Sequence, residues 1–261
     1  MFPCSIVDSS PVDAQAPVLR GQTATCSRAA LPDPQVAAGR LDDETLAAHL
    51  RGMAEVKICG LTTVDDALHC IDAGADAIGL NFWPGSPRRV DVATAREIVE
   101  AVADRATMVG VFVDFTLDQV REILRETGIL WAQLHGDEAP ALVAELLPNA
   151  YKAIGVKDGS AIELARSYPG EHLLLDASVS GMPGGTGRTF DWDIAAAVAK
   201  ERKLTLAGGL TPDNVADAID AVNPFRVDVA SGVEIAPGQK DQARVQAFIT
   251  AAKAQRGQSP F

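Results

Sequence analysis

Residues 56–81, VKICGLTTVDDALHCIDAGADAIGLN, contain two short apolar segments separated by a segment with apolar residues at helical spacing. Two strands separated by one helix in this way form a βαβ unit, in which the strands run parallel. The same alternation repeats along the chain as far as residue 254. The sequence therefore predicts an α/β protein with a parallel sheet that is covered by helices.

The repeat contains eight strand candidates and eight helix candidates. The strands are predicted at 56–59, 77–81, 107–113, 131–134, 151–154, 172–175, 204–207 and 226–229. The helices are predicted at 62–73, 92–103, 116–127, 138–147, 158–167, 191–200, 212–221 and 239–254. Eight consecutive units predict a single (β/α)8 (TIM) barrel. A doubly wound open sheet is the alternative, but it rarely has eight evenly spaced units, and no GxGxxG motif follows the first strand.

Residues 1–52 differ in composition from the rest of the chain. Five prolines lie within residues 1–34, and Phe2 is the only aromatic residue of the segment. Such a segment buries too little apolar area to offset the entropy lost on ordering. We predict a disordered, dispensable extension over 1–52, a catalytic barrel over 53–256 and a short tail over 257–261.

Charge and cysteine content narrow the range of partners. The chain has 23 basic and 35 acidic residues, and its net charge of −12 argues against nucleic acid and anionic membranes as partners. The four cysteines, at 4, 26, 59 and 70, form no disulfide or metal-ligand pattern, which is typical of a reducing compartment. No apolar run is long enough for a membrane span, so we expect a cytoplasmic protein. The oligomeric state stays open, with a monomer preferred over a homodimer.

The first strand carries a candidate catalytic base. Active sites of (β/α)8 barrels lie at the carboxyl ends of the strands. If Ile58 packs against the helices, strand alternation points Lys57 and Cys59 into the barrel. A thiolate at Cys59 can act as a base if nearby positive charge lowers its pKa. Because a buried Lys57 needs a partner and strand eight closes against strand one, we predict an ion pair between Lys57 and Asp228.

Three other strand ends carry polar groups. Asp176 ends the sixth strand and is a candidate general acid if burial raises its pKa, and the loop after it contains a glycine-rich segment with Gly185. The loop after the second strand contains Arg88 and Arg89, whose guanidinium groups suit a carboxylate or a phosphate. His135 follows the fourth strand, where a proton carrier and a hydrogen-bonded structural residue are both possible.

The loops after the seventh and eighth strands predict a phosphate site. Gly208 and Gly209 follow the seventh strand, and Ser231 and Gly232 follow the eighth. Loops at these two positions frequently bind phosphate in such barrels, through backbone N–H groups. We expect the helix after the seventh strand to begin at 212, with Thr211 as its N-cap.

These segments together resemble the phosphoribosylanthranilate isomerase family of tryptophan biosynthesis. The matching segments are KICGLT (57–62), NFWPGSPRRV (81–90), VGVFVD (109–114), QLHGDE (133–138), LLDASVSGMPGGTGRTFDW (174–192), LAGGLTPDNV (206–215), VDVASGVE (227–234) and PGQKD (237–241). The resemblance covers residues 55–254. It implies an Amadori rearrangement of N-(5′-phosphoribosyl)anthranilate, a phosphorylated aminoaldose, into an aminoketose, with no metal and no organic cofactor.

The resemblance also implies roles for particular residues. It places the general base at Cys59 and the general acid at Asp176. It aligns Arg88, rather than Arg89, with the arginine that contacts the anthranilate carboxylate, and it puts the phosphate near Gly209 and the segment 231–232. Ala230 departs from the pattern, because many relatives have serine there.

Two other functions remain as alternatives. A catalytically inactive barrel that only binds a phosphorylated ligand would have no need of both Cys59 and Asp176, and both are present. The related sugar isomerase of the histidine pathway typically uses aspartates at two strand ends, whereas the first strand here ends in Cys59.

Overall fold

The computed structural model describes residues 54–176 and 192–254, and in this part of the chain eight parallel strands close into a barrel in the order β1 to β8. The predicted (β/α)8 barrel is therefore confirmed. The strands are β1 Glu55–Cys59, β2 Ala77–Asn81, β3 Thr107–Phe112, β4 Trp131–Leu134, β5 Ala150–Gly155, β6 His172–Asp176, β7 Lys203–Ala207 and β8 Arg226–Val229. The extension over 1–52, the tail over 257–261 and Gly185 lie outside the described residues.

Helices connect the strands and are held at their ends by local capping bonds. Their bounds are α1 Val64–Asp72, α2 Val92–Val102, α3 Leu117–Thr127, α4 Pro140–Glu145, α5 Ser160–Ser167, α6 Trp192–Ala199, α7 Val215–Val222 and α8 Gln242–Lys253. At the start of α3, Thr116 and Gln119 form a reciprocal capping box, which satisfies two backbone N–H groups. Gly128 ends the same helix in the left-handed conformation that glycine adopts without strain.

Two predicted helix starts were wrong, each because a local interaction replaces the first turn. The last helix begins at Gln242 rather than at 239, because Gln239–Lys240 (β10) pairs antiparallel with Glu234–Ala236 (β9). Helix α7 begins at Val215, so Thr211 is not its N-cap. The Asn214 side chain accepts a bond from the Thr211 N–H and donates to the Gly209 carbonyl, which holds residues 211–214 in a turn.

The main hydrophobic core lies between the barrel and the surrounding helices. Ile58 is fully buried in that layer, so the neighbouring residues Lys57 and Cys59 face the barrel interior as predicted. A second, smaller cluster that includes Val109, Tyr151 and Leu174 is also buried. The interior is thus filled below the carboxyl ends of the strands, and the open space lies at the mouth.

The described residues contain neither a membrane-spanning helix nor a cluster of metal ligands. None of the helices within 54–176 and 192–254 is long and apolar enough to cross a membrane. Over the same residues, no group of three or more His, Cys, Asp or Glu side chains is arranged to hold a metal ion.

Candidate active site at the carboxyl ends of the strands

A cavity of about 220 Å³ lies at the carboxyl ends of the strands. Eight of the residues predicted from the sequence line this one cavity: Cys59, Arg88, Asp176, Gly208, Gly209, Asp228, Ser231 and Gly232. They come from the carboxyl-terminal parts of five different strands and from the loops that follow those strands. The cavity is therefore the candidate active site.

Lys57 and Asp228 form the predicted ion pair inside the barrel. Closure of the barrel pairs β1 with β8 and places these two residues opposite each other. The Lys57 Nζ atom donates to both Asp228 carboxylate oxygens at 3.0 Å. A Cβ atom at Gly79 would lie 2.7 Å from the Cys59 Sγ atom and 3.0 Å from the Lys57 Nζ atom. The missing side chain at Gly79 thus leaves room for both groups.

The net shift of the Cys59 thiol pKa is upward, so the condition under which a thiolate forms easily, a pKa lowered by nearby positive charge, is not met in the unliganded protein. Burial raises that pKa more strongly than the Lys57 ammonium lowers it, and Asp228 raises it further. Burial is the largest single influence on Lys57 and acts to lower its pKa, but Asp228, Cys59 and Tyr151 together outweigh it and the net shift is upward. Lys57 is thus a permanent cation whose charge is largely balanced by Asp228, which explains its limited effect on the thiol.

Asp176 lies at the end of a line of polar side chains that leads up from the barrel interior. Its Oδ2 atom is 3.4 Å from the His135 Nε2 atom, and its side chain is 20% exposed. The His135 Nδ1 atom lies 2.9 Å from the Gln133 Nε2 atom, and the Tyr151 hydroxyl donates to the Gln133 Oε1 atom at 3.0 Å. Sequence reasoning missed Gln133 and Tyr151. The sequence offered one indication of this contact: Gln133 lies two residues before His135, on the same face of an otherwise apolar strand.

The two glycine-bearing loops meet at one side of the cavity. Gly208 and Gly209 have φ angles of +93° and +66°, in the left-handed region that favours glycine. A Cβ atom at Gly232 would overlap the Leu210 carbonyl oxygen, so the backbone of the loop after β8 packs directly on the loop after β7. Close packing of this kind leaves the two backbones, rather than side chains, to contact a ligand there.

Arg88, in the loop after β2, also lines the cavity and is paired with a carboxylate that sequence reasoning missed. Its Nη2 atom donates to the Glu234 Oε2 atom at 2.6 Å, and its Nε atom donates to the Oε1 atom at 2.9 Å. Glu234 belongs to β9, one strand of the unpredicted hairpin. Arg88 is among the residues that line the cavity, and Arg89 is not.

This fold, with an acidic and a thiol side chain and two glycine-bearing loops at the mouth, defines the chain as a (β/α)8-barrel enzyme. The sequence model of N-(5′-phosphoribosyl)anthranilate (PRA) isomerase matches residues 56–251. The chain belongs to the N-(5′-phosphoribosyl)anthranilate isomerase family.

Curated relatives support this assignment. The N-(5′-phosphoribosyl)anthranilate isomerase of Pelobacter propionicus is 45% identical over 207 residues, which are 79% of this chain and 99% of the relative. The enzyme of the same name from Pseudomonas aeruginosa is 47% identical over 203 residues, which are 77% of this chain and 96% of the relative. The relatives are thus matched almost entirely by the barrel.

Solved structures give the same result. The crystal structure of phosphoribosyl anthranilate isomerase from Thermotoga maritima has a TM-score of 0.71 and 39% identity, covering 77% of this chain and 99% of that chain. A phosphoribosyl anthranilate isomerase solved in complex with reduced 1-(o-carboxyphenylamino)-1-deoxyribulose 5-phosphate has a TM-score of 0.69 and 37% identity, with the same coverage.

Proposed function

We propose that this chain catalyses the Amadori rearrangement of N-(5′-phosphoribosyl)anthranilate into 1-(2-carboxyphenylamino)-1-deoxyribulose 5-phosphate. The reaction is an aldose–ketose isomerisation in tryptophan biosynthesis. The observation that carries the proposal is that Cys59 and Asp176 line the same cavity as the glycine-bearing loops. In the closed barrel, β6 is three strands away from β1 in the direction of β8. The two side chains can therefore approach one pentose from different sides.

Asp176 acts as the general acid in the first step. In its protonated form it donates a proton to the furanose ring oxygen. The bond between this oxygen and C1′ then breaks, and the nitrogen lone pair forms a C1′=N iminium. A positioned acid of this kind typically accelerates a reaction by about 10²–10⁴-fold. His135 lies within 3.4 Å of Asp176, where its ring can interact with the carboxylate that the proton transfer leaves behind.

Cys59 acts as the general base in the second step. The iminium withdraws electrons from C2′, so the proton on C2′ becomes acidic and a thiolate can remove it. The resulting enaminol becomes the product when a proton is returned to C1′ and the C2′ hydroxyl loses its own proton. The reaction is an isomerisation, so no external oxidant or reductant is needed. Lys57 supports the thiolate electrostatically, in opposition to burial.

The two anionic ends of the substrate bind to two different groups of residues that line the cavity. Backbone N–H groups of Gly208, Gly209, Ser231 and Gly232 bind the phosphate, because such loops provide donors without side chains in the way. Gly185 contributes from the loop after β6. The Arg88 guanidinium binds the anthranilate carboxylate through a two-pronged contact. Anchoring both ends holds C1′ and C2′ between the acid and the base.

We also propose the organisation and setting of the protein. The barrel over 53–256 contains the whole activity, because the family match begins at residue 56 and ends at 251. The extension over 1–52 and the tail over 257–261 are dispensable. The protein works in the cytoplasm as a monomer on a small phosphorylated substrate. The molar mass from light scattering after gel filtration tests whether the protein is a monomer. One solved relative, from Thermotoga maritima, is described as a dimeric enzyme.

Complementation of a bacterial tryptophan auxotroph that lacks PRA isomerase tests the function. We expect growth without tryptophan from the full chain and from a chain that begins at Met53. A histidine auxotroph that lacks the corresponding sugar isomerase is the control, and we expect no growth there. Growth of neither strain, despite expression of folded protein, would favour a barrel that only binds its ligand. If only the full chain restored growth, the proposal that residues 1–52 are dispensable would be wrong.

A further inference from the structure

The hairpin after β8, residues 234–240, contacts the loops after β1 and β2, and we call it the rim hairpin. The Thr62 hydroxyl, in the loop after β1, donates to the Gly238 carbonyl at 2.7 Å. Gly238 in turn donates its N–H to the Glu234 Oε1 atom at 3.2 Å. The rim hairpin therefore holds the Glu234 carboxylate at a fixed place beside the cavity.

Arg88 is held both along its stem and at its guanidinium. A Cβ atom at Gly60 would lie 2.6 Å from the Arg88 Cδ atom, so the stem of the arginine rests on the backbone of Gly60. The guanidinium donates to Glu234 with its Nε and Nη2 atoms. A guanidinium is a planar fork with five donors. Since Glu234 binds the edge formed by Nε and Nη2, a second carboxylate can approach the edge formed by Nη1 and Nη2.

Lys240 completes the cluster from the other strand of the rim hairpin. Its Nζ atom donates to the Glu234 Oε1 atom at 2.8 Å and to the Cys59 carbonyl at 2.7 Å. It also lies 3.3 Å from the Ala230 carbonyl, to which it donates a third bond. One ammonium group thus joins the strand end that carries the candidate base, the loop after β8 and the partner of Arg88.

Burial makes the charge balance of this cluster important. The exposed fractions of the side chains are 23% for Arg88, 4% for Glu234 and 0% for Lys240. Burial alone raises the pKa of Glu234, but the bonds from Arg88 and Lys240 outweigh it and lower the pKa. The cluster therefore contains two cations and one carboxylate. Arg88 and Glu234 alone would be neutral, and Lys240 supplies the positive charge that makes the cluster favourable for an anionic ligand.

We propose that Glu234 and Lys240 are positioning residues that determine the selectivity for a carboxylated aromatic substrate. Glu234 fixes the plane of the Arg88 guanidinium before the ligand arrives, and Lys240 balances the charge of Glu234 so that a second carboxylate is attracted. The inference rests on the proposed function and identifies the residues that determine which substrates the site accepts. Neither residue touches the reacting atoms.

Calorimetric titration with two ligands tests this proposal. One ligand is reduced 1-(o-carboxyphenylamino)-1-deoxyribulose 5-phosphate, and the other is the same compound without its carboxyl group. The ratio of their dissociation constants measures selectivity. We expect Glu234→Gln to reduce this ratio about tenfold or more, because an amide has one acceptor oxygen in place of two and no longer fixes the plane of the Arg88 guanidinium, an effect we expect to exceed the gain from the lost negative charge. The affinity for the second compound should stay unchanged within about twofold. We expect Lys240→Met to have the same effect, because Arg88 and Glu234 alone are neutral and the cluster then no longer attracts a second carboxylate.

Glu201→Gln is the matched control, because Glu201 pairs with Arg166 at 2.6 Å on the surface and is 43% exposed. Its ratio should equal that of the wild type. An unchanged ratio in both test variants, or equal loss of affinity for both compounds, overturns the proposal. If Glu234→Gln fails to fold, the ratio measured for Lys240→Met is the test. If neither variant folds, the cluster is required for folding and the proposal is rejected. If the wild type binds neither compound, the proposed function itself is wrong.

Discussion

The Lys57 Nζ atom lies 3.0 Å from both carboxylate oxygens of Asp228, and both side chains are buried at the base of the candidate active site. A buried ion pair gains little net free energy over an apolar pair of the same shape, because both charges must be desolvated. A better reason for its presence is that it fixes the position of the Lys57 ammonium beside Cys59. There the ammonium acts against the rise in thiol pKa that burial causes.

Replacing only one partner of this pair leaves a buried charge without compensation. We expect Lys57→Met to lower the free energy of unfolding by about 3–5 kcal/mol, because Asp228 then stays buried alone. Urea denaturation followed by circular dichroism measures this. Lys203→Met is the control, since Lys203 pairs with Glu171 on the surface and its loss should cost about 0–1 kcal/mol. The double variant Lys57→Met/Asp228→Leu should recover part of the loss; no recovery would contradict the explanation.

Removing the acid or the base should lower turnover strongly and leave binding intact. We expect Cys59→Ala and Asp176→Asn each to lower kcat by about 10²–10⁴-fold, because each removes one proton transfer. The affinity for the reduced product should change little, because the groups that bind the phosphate and the carboxylate remain. Steady-state kinetics and calorimetry measure the two effects. Near-native turnover of Cys59→Ala would exclude Cys59 as the base.

The strand pattern was sufficient to predict the barrel and much of its mouth. Short apolar or β-branched segments at regular spacing predicted all eight strands to within one residue at either end. The Lys57–Asp228 pair followed from topology alone, because closing the barrel makes the first and last strands neighbours. Predictions of this kind succeed because they depend on local periodicity and on the general geometry of one fold.

The carboxylate that holds Arg88 could not be predicted in the same way. Glu234 lies in a three-residue strand, and its burial depends on Arg88, which is 146 residues away in the sequence. The direction of the Cys59 pKa shift could not be predicted from the sequence for a related reason. The sequence placed a lysine nearby, but the balance between its charge and the cost of burial depends on the packing of the whole interior. Contacts between residues that are distant in the sequence determine both the pairing of Arg88 and the pKa of Cys59.

The upward shift of the Cys59 pKa can be measured directly in the unliganded protein. We expect the thiol to be mainly protonated at pH 7, because burial raises its pKa above its ordinary value. The rate of alkylation by iodoacetamide, followed by mass spectrometry of the peptide that contains Cys59, should rise with pH above the range in which a peptide of the same sequence reacts. Lys57→Met should move the profile to still higher pH, because it removes a charge that lowers the pKa. Faster reaction than the peptide at neutral pH would show a lowered pKa instead.

The close packing of the two glycine-bearing loops predicts an effect specific to Gly232. A Cβ atom at this position would overlap the Leu210 carbonyl, so Gly232→Ala must push the loop after β8 away from the loop after β7. We expect a loss of about 1–3 kcal/mol in the free energy of unfolding, which is typical of overpacking. We also expect about tenfold or greater loss of affinity for the reduced product, because the phosphate donors move apart.

Gly159→Ala separates this effect from the general consequences of replacing a glycine. A Cβ atom at Gly159 has no heavy atom within 4 Å, and its φ angle of −62° suits alanine. This control should bind the reduced product like the wild type, with equal or slightly greater stability. Urea denaturation and calorimetry of the two variants give the comparison. If Gly232→Ala bound the ligand as tightly as Gly159→Ala does, the loops after β7 and β8 would not form the phosphate site.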